Sequence, residues 1–144
     1  MARLRRGLGG ALVLDAQGLA KLAAGDPVVR GHVREARAHD FEVVTAASTL
    51  VEVLRGGPRD APVHQALKHV TVTAVDKEIG RKAGELLGAA GMSGHKDALD
   101  SLLAATALAQ QRPVLLLTGD PAGMARLTEQ PDRDEAGRVA VIAI

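Results

Sequence analysis

The chain has 144 residues, enough for one domain with a substantial core, and 47% of them are hydrophobic. It contains no cysteine, which excludes disulfides and thiolate metal sites, and its net charge of +1 does not demand an anionic partner. Phe41 is its one aromatic residue, so the core must be aliphatic and a base-stacking RNA reader is disfavoured. We expect residues 1–144 to form a single domain.

The amino terminus, "MARLRRGLGGALVLDAQG", has a basic start and an apolar run, as a secretion signal does. Asp15 interrupts the apolar run, and no clean cleavage site follows directly, which argues against such a signal. No segment approaches the roughly 20 apolar residues that a membrane span needs. We therefore expect a cytoplasmic protein that makes no membrane contact.

The first half of the chain begins with "ALVLD" (11–15), an apolar run typical of a strand buried on both faces. "QGLAKLAAGD" predicts a helix that ends at Gly25, and Asp26 before Pro27 predicts the start of the next helix, "PVVRGHVREARAH". "FEVVT" (41–45) predicts a second strand. The helix "AASTLVEVLRGG" follows, with an apolar stripe of Leu50, Val51 and Leu54 and a stop at 56–58.

The second half continues the alternation of helices and strands. "APVHQALKH" predicts a brief helix, "VTVTAV" (70–75) a third strand, and Asp76 the cap of the helix "KEIGRKAGELLGAAG". A helix over "DALDSLLAATAL", the strand "PVLLLTGD" (113–120), the helix "PAGMARLTEQ" and a terminal strand "RVAVIAI" complete the order. The alternation predicts an α/β fold: a three-layer α/β/α sandwich whose central sheet has about five mostly parallel strands.

Carboxylates recur where such a fold places functional sites, beyond the carboxyl ends of the strands. Asp15 and Asp120 each follow an apolar strand, Glu52 lies about two turns into a helix, and Asp97 and Asp100 begin another helix. In the common doubly wound order, the strands that end at Asp15 and Asp120 are neighbours, and the acids converge. Two carboxylates about 5 Å apart repel by about 3 kcal/mol at an effective dielectric constant near 20, so convergence favours a cation. Oxygen ligands without thiolates suit Mg²⁺ or Mn²⁺.

Each acid also has an ordinary explanation when it is taken alone. Asp15 is a plausible strand-end turn residue, Asp120 before Pro121 a plausible helix cap, and Glu52 a plausible partner of Arg55. One of Asp97 and Asp100 is expected to cap its helix. The joint pattern, and not any single residue, favours the metal site.

Three segments in order resemble the PIN-domain ribonucleases, in particular the VapC-type toxins of bacterial toxin–antitoxin pairs. They are "LVLDAQGLAKL", "TAASTLVEVLRGG" and "DSLLAATALAQQRPVLLLTGDPAGMARL". The resemblance implies that Asp15, Glu52, Asp100 and Asp120 are the catalytic metal ligands and that Thr118 supports Asp120. Asp97 has no firm counterpart in the family; it shares a helix face with Asp100 and is either an auxiliary ligand or only a cap. It also implies an RNA substrate, a cognate antitoxin and a homodimer.

The resemblance has one departure, because many family members carry Thr or Ser within two residues of the first Asp, where this chain has Ala16 and Gln17. Lys96 and Arg55 are candidates for contacts with RNA phosphates, with solvated loops as the alternative, and Arg3, Arg5 and Arg6 form a short basic arm. The five histidines show no zinc-ligand spacing. The expected function is a Mg²⁺- or Mn²⁺-dependent endoribonuclease; the alternative is a catalytically silent PIN-like module that binds RNA or protein.

Overall fold

The computed structural model describes residues 9–144, so the basic beginning of the leader-like segment, with Arg3, Arg5 and Arg6, lies outside the described residues. The described strands and helices, in chain order, are β1 (Ala11–Leu14), α1 (Ala16–Ala24), α2 (Pro27–Ala38), β2 (Glu42–Ala46), α3 (Leu50–Val53), α4 (Ala61–Leu67), β3 (Thr71–Thr73), α5 (Lys77–Ala90), α6 (Gly94–Leu108), β4 (Val114–Thr118), α7 (Pro121–Leu127) and β5 (Val139–Ala143). Short 3₁₀ turns occupy Ala47–Thr49, Pro58–Asp60 and Glu135–Gly137.

The five strands form one parallel sheet in the order β3-β2-β1-β4-β5. β1 is central and all four of its residues are buried, as its continuous apolar sequence predicts for a strand covered on both faces. Leu14 pairs with Leu117, so the strands that lead to Asp15 and Asp120 are neighbours. The predicted α/β class, parallel sheet and doubly wound order are therefore confirmed.

The core is divided by the sheet into two aliphatic layers. Alternate residues of β1 point to opposite faces: Val13 packs with Leu103 and Met124 on one side, and Leu12 and Leu14 pack on the other with residues of α2. Helices α6 and α7 thus contribute to the first layer, and α2 to the second. This arrangement confirms the three-layer sandwich.

Helix ends fall where the capping residues predict them. Gly25 adopts the left-handed conformation at the end of α1 (φ 81°), a region that residues with a side chain rarely adopt. Asp26 Oδ1 accepts hydrogen bonds from the backbone N–H groups of Val28 and Val29 at 2.9 and 3.0 Å, and Asp76 Oδ1 accepts from that of Ile79 at 2.9 Å.

The segment that carries Glu52 differs from its prediction. A 3₁₀ turn precedes α3, and α3 itself is only four residues long, so Glu52 lies in the first turn of a short helix rather than two turns into a long one. Val51 is 68% exposed and does not belong to a buried stripe. Helix α3 ends early because of a local contact. The residue Asp60 is only 5% exposed, and its carboxylate accepts hydrogen bonds from the backbone N–H groups of Arg55 (2.9 Å) and Gly56 (2.7 Å). These bonds stabilise a turn where the helix would otherwise continue.

Candidate metal centre

Two of the predicted acids meet at the carboxyl ends of adjacent strands. Asp15 directly follows β1, and its backbone N–H donates to the carbonyl of Leu117 at 3.2 Å. Its side chain reaches across to the loop after β4, where Oδ2 accepts from the backbone N–H of Gly119 at 2.9 Å. Oδ1 accepts from the N–H of Gly18 at 2.7 Å and caps α1. Both oxygens of Asp15 are therefore positioned by backbone groups.

Asp120 has two local contacts, one through its side chain and one through its backbone. Its Oδ1 accepts from the N–H of Gly123 at 3.1 Å, so the cap predicted as the ordinary explanation is present at the start of α7. Its own N–H donates to Oγ1 of Thr118, which is fully buried, at 2.9 Å. The hydroxyl of Thr118 thus supports the turn that carries Asp120.

Helices bring the other two acids to the same place. Glu52 projects from α3 and Asp100 from α6, and together with Asp15 and Asp120 they line one cavity of about 170 Å³. The other lining residues are Ala16, Gln17, Leu99, Leu103 and Gly119. None of these nine residues is basic. Four carboxylates from distant parts of the chain therefore share one small cavity.

The charges in this cavity raise two pKa values. The pKa of Glu52 lies above its ordinary value of 4.5, first because its carboxyl group is partly desolvated although the residue as a whole is exposed, and then because of the negative charges of Asp100 and Asp15. The pKa of Asp100 lies above its ordinary value of 3.8 because of burial, followed by the charges of Asp120, Asp15 and Asp97. The acids are thus near enough to oppose one another's ionisation.

The residues fit a hard divalent cation in their donor chemistry, since all four supply carboxylate oxygens and none supplies sulfur. Their spacing is wider than a formed coordination shell: between residues 9 and 144, no three His, Asp or Glu side chains are close enough to hold an ion as they are placed. Binding would therefore require side-chain rotation. Glu52 is exposed and has the longest side chain of the four, so it has the most freedom to move.

Asp97 does not line the cavity. Its Oδ2 accepts from the backbone N–H of Ser93 at 3.2 Å, while Oγ of Ser93 accepts from the N–H of Lys96 at 3.4 Å. This reciprocal pair caps α6. Of the two roles predicted for Asp97, auxiliary ligand or cap, these hydrogen bonds correspond to the cap.

The two predicted phosphate contacts also lie outside the cavity lining. Lys96 is exposed in the first turn of α6. The guanidinium of Arg55 donates to the carbonyls of Val51 (2.9 Å) and Leu54 (2.7 Å), at the end of α3, and forms no ion pair with Glu52 within the described part of the chain.

The sequence reading gave no role to three residues that shape this region. Gln17 lines the cavity, Asp60 ends α3, and the buried hydroxyl of Thr45 donates to the carbonyl of Leu14 at 2.7 Å, next to Asp15. Gln17 had one signal, its position two residues after Asp15 on the same helical turn. The other two are tertiary contacts that no local pattern indicates.

A second, larger cavity of about 500 Å³ lies between α1, α2 and α4. Its lining includes three arginines of α2, Arg30, Arg34 and Arg37, together with His69 and the apolar side chains of Leu22 and Val33. None of its lining residues is acidic. We call it the arginine cleft.

The fold and the acidic cavity define a class: parallel α/β domains with carboxylates gathered at the switch point of the sheet. The sequence model of the PIN domain matches residues 12–129, and the chain therefore belongs to the PIN domain family. No curated protein sequence is significantly similar to it. No described helix is both long enough and apolar enough to cross a membrane.

Solved structures of toxin–antitoxin assemblies share this fold. A chain of VapBC2 from Rickettsia felis, bound to a promoter DNA fragment, superposes with a TM-score of 0.64 at 14% identity over 93% of this chain and 98% of that chain. A toxin–antitoxin complex from Klebsiella pneumoniae gives 0.61 at 17% identity, covering 92% and 96%. FitAB bound to a DNA fragment gives 0.58 at 17% identity, covering 92% and 94%. At these identities the likeness concerns the fold.

Proposed function

We propose that this PIN domain is a Mg²⁺- or Mn²⁺-dependent endoribonuclease and the toxin of a toxin–antitoxin pair. The observation that carries the proposal is the convergence of Asp15, Glu52, Asp100 and Asp120 on one cavity without a basic lining residue. Such a cluster opposes its own ionisation, as the raised pKa values of Glu52 and Asp100 indicate, unless a cation is present. Family membership supports a nuclease, and the toxin–antitoxin neighbours support the biological setting.

In this proposal the four carboxylates hold the ion. When bound, a divalent ion supplies an oriented water and positive charge that offsets the charge developing on a phosphodiester. The protein contributes preorganisation: backbone N–H groups fix Asp15, and Thr118 fixes the turn at Asp120. Apart from the four carboxylates assigned to the ion, the lining offers no nucleophilic side chain, which favours direct attack by water.

RNA cleavage by the purified protein tests this proposal. With Mg²⁺ or Mn²⁺, we expect single-stranded RNA to be cut internally, and EDTA to stop the reaction. Asp100→Asn and Asp15→Asn should each lower the rate by more than the roughly 100-fold that loss of a supporting outer residue costs. Asp132→Asn, the same change in an exposed turn, is the control. Undiminished cleavage by folded Asp100→Asn would refute the assignment.

One observation favours the alternative, a catalytically silent PIN-like module that binds RNA or protein. The described acidic side chains are not spaced as a formed coordination shell. A thermal titration separates the two functions, because a ligand that binds only the folded state stabilises it by about 2.7 kcal/mol at 100 times its Kd. The nuclease should melt at a higher temperature in millimolar Mn²⁺, whereas a silent module should not respond.

We further propose that the arginine cleft receives an acidic, partly apolar segment of the antitoxin. Three arginines beside Leu22 and Val33 offer charge and apolar area together, and no lining carboxylate competes with the partner. The homodimer, which the family resemblance implies, and the cytoplasmic location, which the sequence predicts, belong to the same proposal.

A further inference from the structure

Gln17 differs from every other residue that lines the acidic cavity. Four of the nine lining residues are carboxylates, which accept hydrogen bonds when ionised, and Ala16, Leu99, Leu103 and Gly119 have no polar side-chain atom. The carboxamide of Gln17 is therefore the one side chain in the lining with N–H groups to donate. It is also solvent-exposed, so an entering ligand can reach it.

The loop after β4 has a place for this carboxamide. A Cβ atom on Gly119 would overlap the Gln17 Oε1 and Cδ atoms and would lie 3.3 Å from its Cβ. Gln17 can lie against the backbone here only because residue 119 has no side chain. The backbone N–H of Gly119 also donates to Oδ2 of Asp15 at 2.9 Å. Gly119 thus positions a carboxylate of the site and makes room for the amide beside it.

A phosphodiester that enters this cavity brings negative charge towards four carboxylates. A lysine or arginine in the lining would attract the phosphate, but it would also pair with the carboxylates and compete with a cation for them. A neutral amide can donate to a phosphate oxygen without that competition. We propose that Gln17 binds the RNA backbone at this site, its Nε2 donating to a non-bridging oxygen of the bound phosphodiester; the inference rests on the proposed nuclease function.

Two variants of Gln17 test the inference. The wild-type protein is first given a random-sequence pool of single-stranded RNA with Mn²⁺, and a cleaved sequence then serves as the substrate. Gln17→Met keeps the length of the side chain and removes its polar atoms, so KM should rise about tenfold, with most of the loss in kcat/KM carried by KM. Gln17→Glu keeps the shape but replaces the donor by a fifth carboxylate, so its KM should rise further.

The control is Gln111→Glu, the same substitution in an exposed segment before β4, at the opposite end of that strand from the cavity. It should leave KM within twofold of wild type. Absence of cleavage by the wild-type protein would count against the proposed function. Cleavage by the wild type with an unchanged KM in Gln17→Met would refute the role of Gln17 alone.

Gly119→Ala tests the same contact from the other side. Its Cβ should displace the carboxamide and raise KM, but in the Gln17→Met background it should add little, because the group it displaces is already absent. Full additivity of the two losses would contradict the contact. Sequencing of the cleaved RNA ends separates a phosphate contact from a base contact. If Gln17 binds a phosphate, Gln17→Met should cut at the same preferred sites as the wild type. Altered site preference would indicate contact with a base and would overturn the assignment.

Discussion

Glu52 and Asp100 are the residues through which the crowded cavity affects stability. Their raised pKa values mean that the folded protein binds protons at these carboxyls more readily than the unfolded chain does. Their contribution to stability is therefore fully present below the unfolded-state pKa and is lost as pH rises through the folded-state pKa. For Asp60 the pH dependence of stability has the opposite sign. Hydrogen bonds from the backbone of Gly56 and Arg55 lower its pKa, so its contribution to stability is lost as pH falls through that lowered pKa.

Glu52→Gln tests this dependence of stability on pH. Without divalent ions, wild-type Tm should fall as pH rises above the ordinary carboxyl range, and Glu52→Gln should flatten that decline because it removes one of the opposing charges. The gain at neutral pH should stay within about 1 kcal/mol, since Glu52 is solvent-exposed. Melting curves in EDTA across the acid-to-neutral range measure both effects. Glu85→Gln, an exposed position on α5, should change neither; equal slopes for wild type and Glu52→Gln would contradict the electrostatic reading.

Among the elements, the strands were the most predictable and α3 the least. Short, mostly apolar runs such as "ALVL" and "VLLLT" are typical of strands buried on both faces, and both segments form interior strands of the sheet. Capping residues such as Asp26 and Asp76 accept hydrogen bonds from N–H groups two or three residues away, so the helix starts that they mark can also be predicted from sequence. The end of α3 depends on the side chain of Asp60, and the helix-like pattern of Leu50, Val51 and Leu54 gave no sign of it.

A side-chain hydrogen bond joins β2 to the end of β1. The hydroxyl of Thr45, fully buried on β2, donates to the carbonyl of Leu14 at the end of β1, directly before Asp15. Thr45→Val keeps the shape but leaves that carbonyl without this donor, so the free energy of unfolding should drop by about 1–3 kcal/mol. Thr71→Val, which removes an exposed hydroxyl bonded to Glu42, should change it by no more than about 0.5 kcal/mol. Urea denaturation of both variants measures the difference; similar losses would show that burial of this bond does not matter.

At the scale of the whole molecule, topology accounts for the part of the site that could be predicted. Once β1 and β4 are neighbours, Asp15 and Asp120 must lie at the same edge of the sheet, and the helices that follow β2 and precede β4 bring Glu52 and Asp100 to that edge. The orientations of the side chains do not follow from topology, because they depend on caps and packing. The contact of Gln17 with Gly119 and the capping role of Asp97 are of this second kind.

Helix α1 contributes residues to both the acidic cavity and the arginine cleft. Its first turn contributes Ala16 and Gln17 to the acidic cavity, and its last turns contribute Leu22 and Ala23 to the arginine cleft. The chain thus places a negative and a positive cavity at the two ends of one helix, while its net charge is only +1. Because of this separation, we expect the proposed partner binding and the proposed RNA cleavage to respond to different substitutions.

Arg34→Glu tests that independence. Arg34 is exposed in the arginine cleft, and reversal of its charge should weaken the complex with an acidic antitoxin by about ten- to a hundredfold. Cleavage by the free protein should remain, because Arg34 does not line the acidic cavity. The partner for this measurement is the proposed antitoxin, which we expect to be a small protein encoded beside this chain; it is co-expressed, purified and titrated by calorimetry. Lys82→Glu, an equal charge reversal on α5, is the control. If both variants bound that protein as tightly as the wild type, the antitoxin would have to dock elsewhere, and the arginine cleft would lose its proposed role.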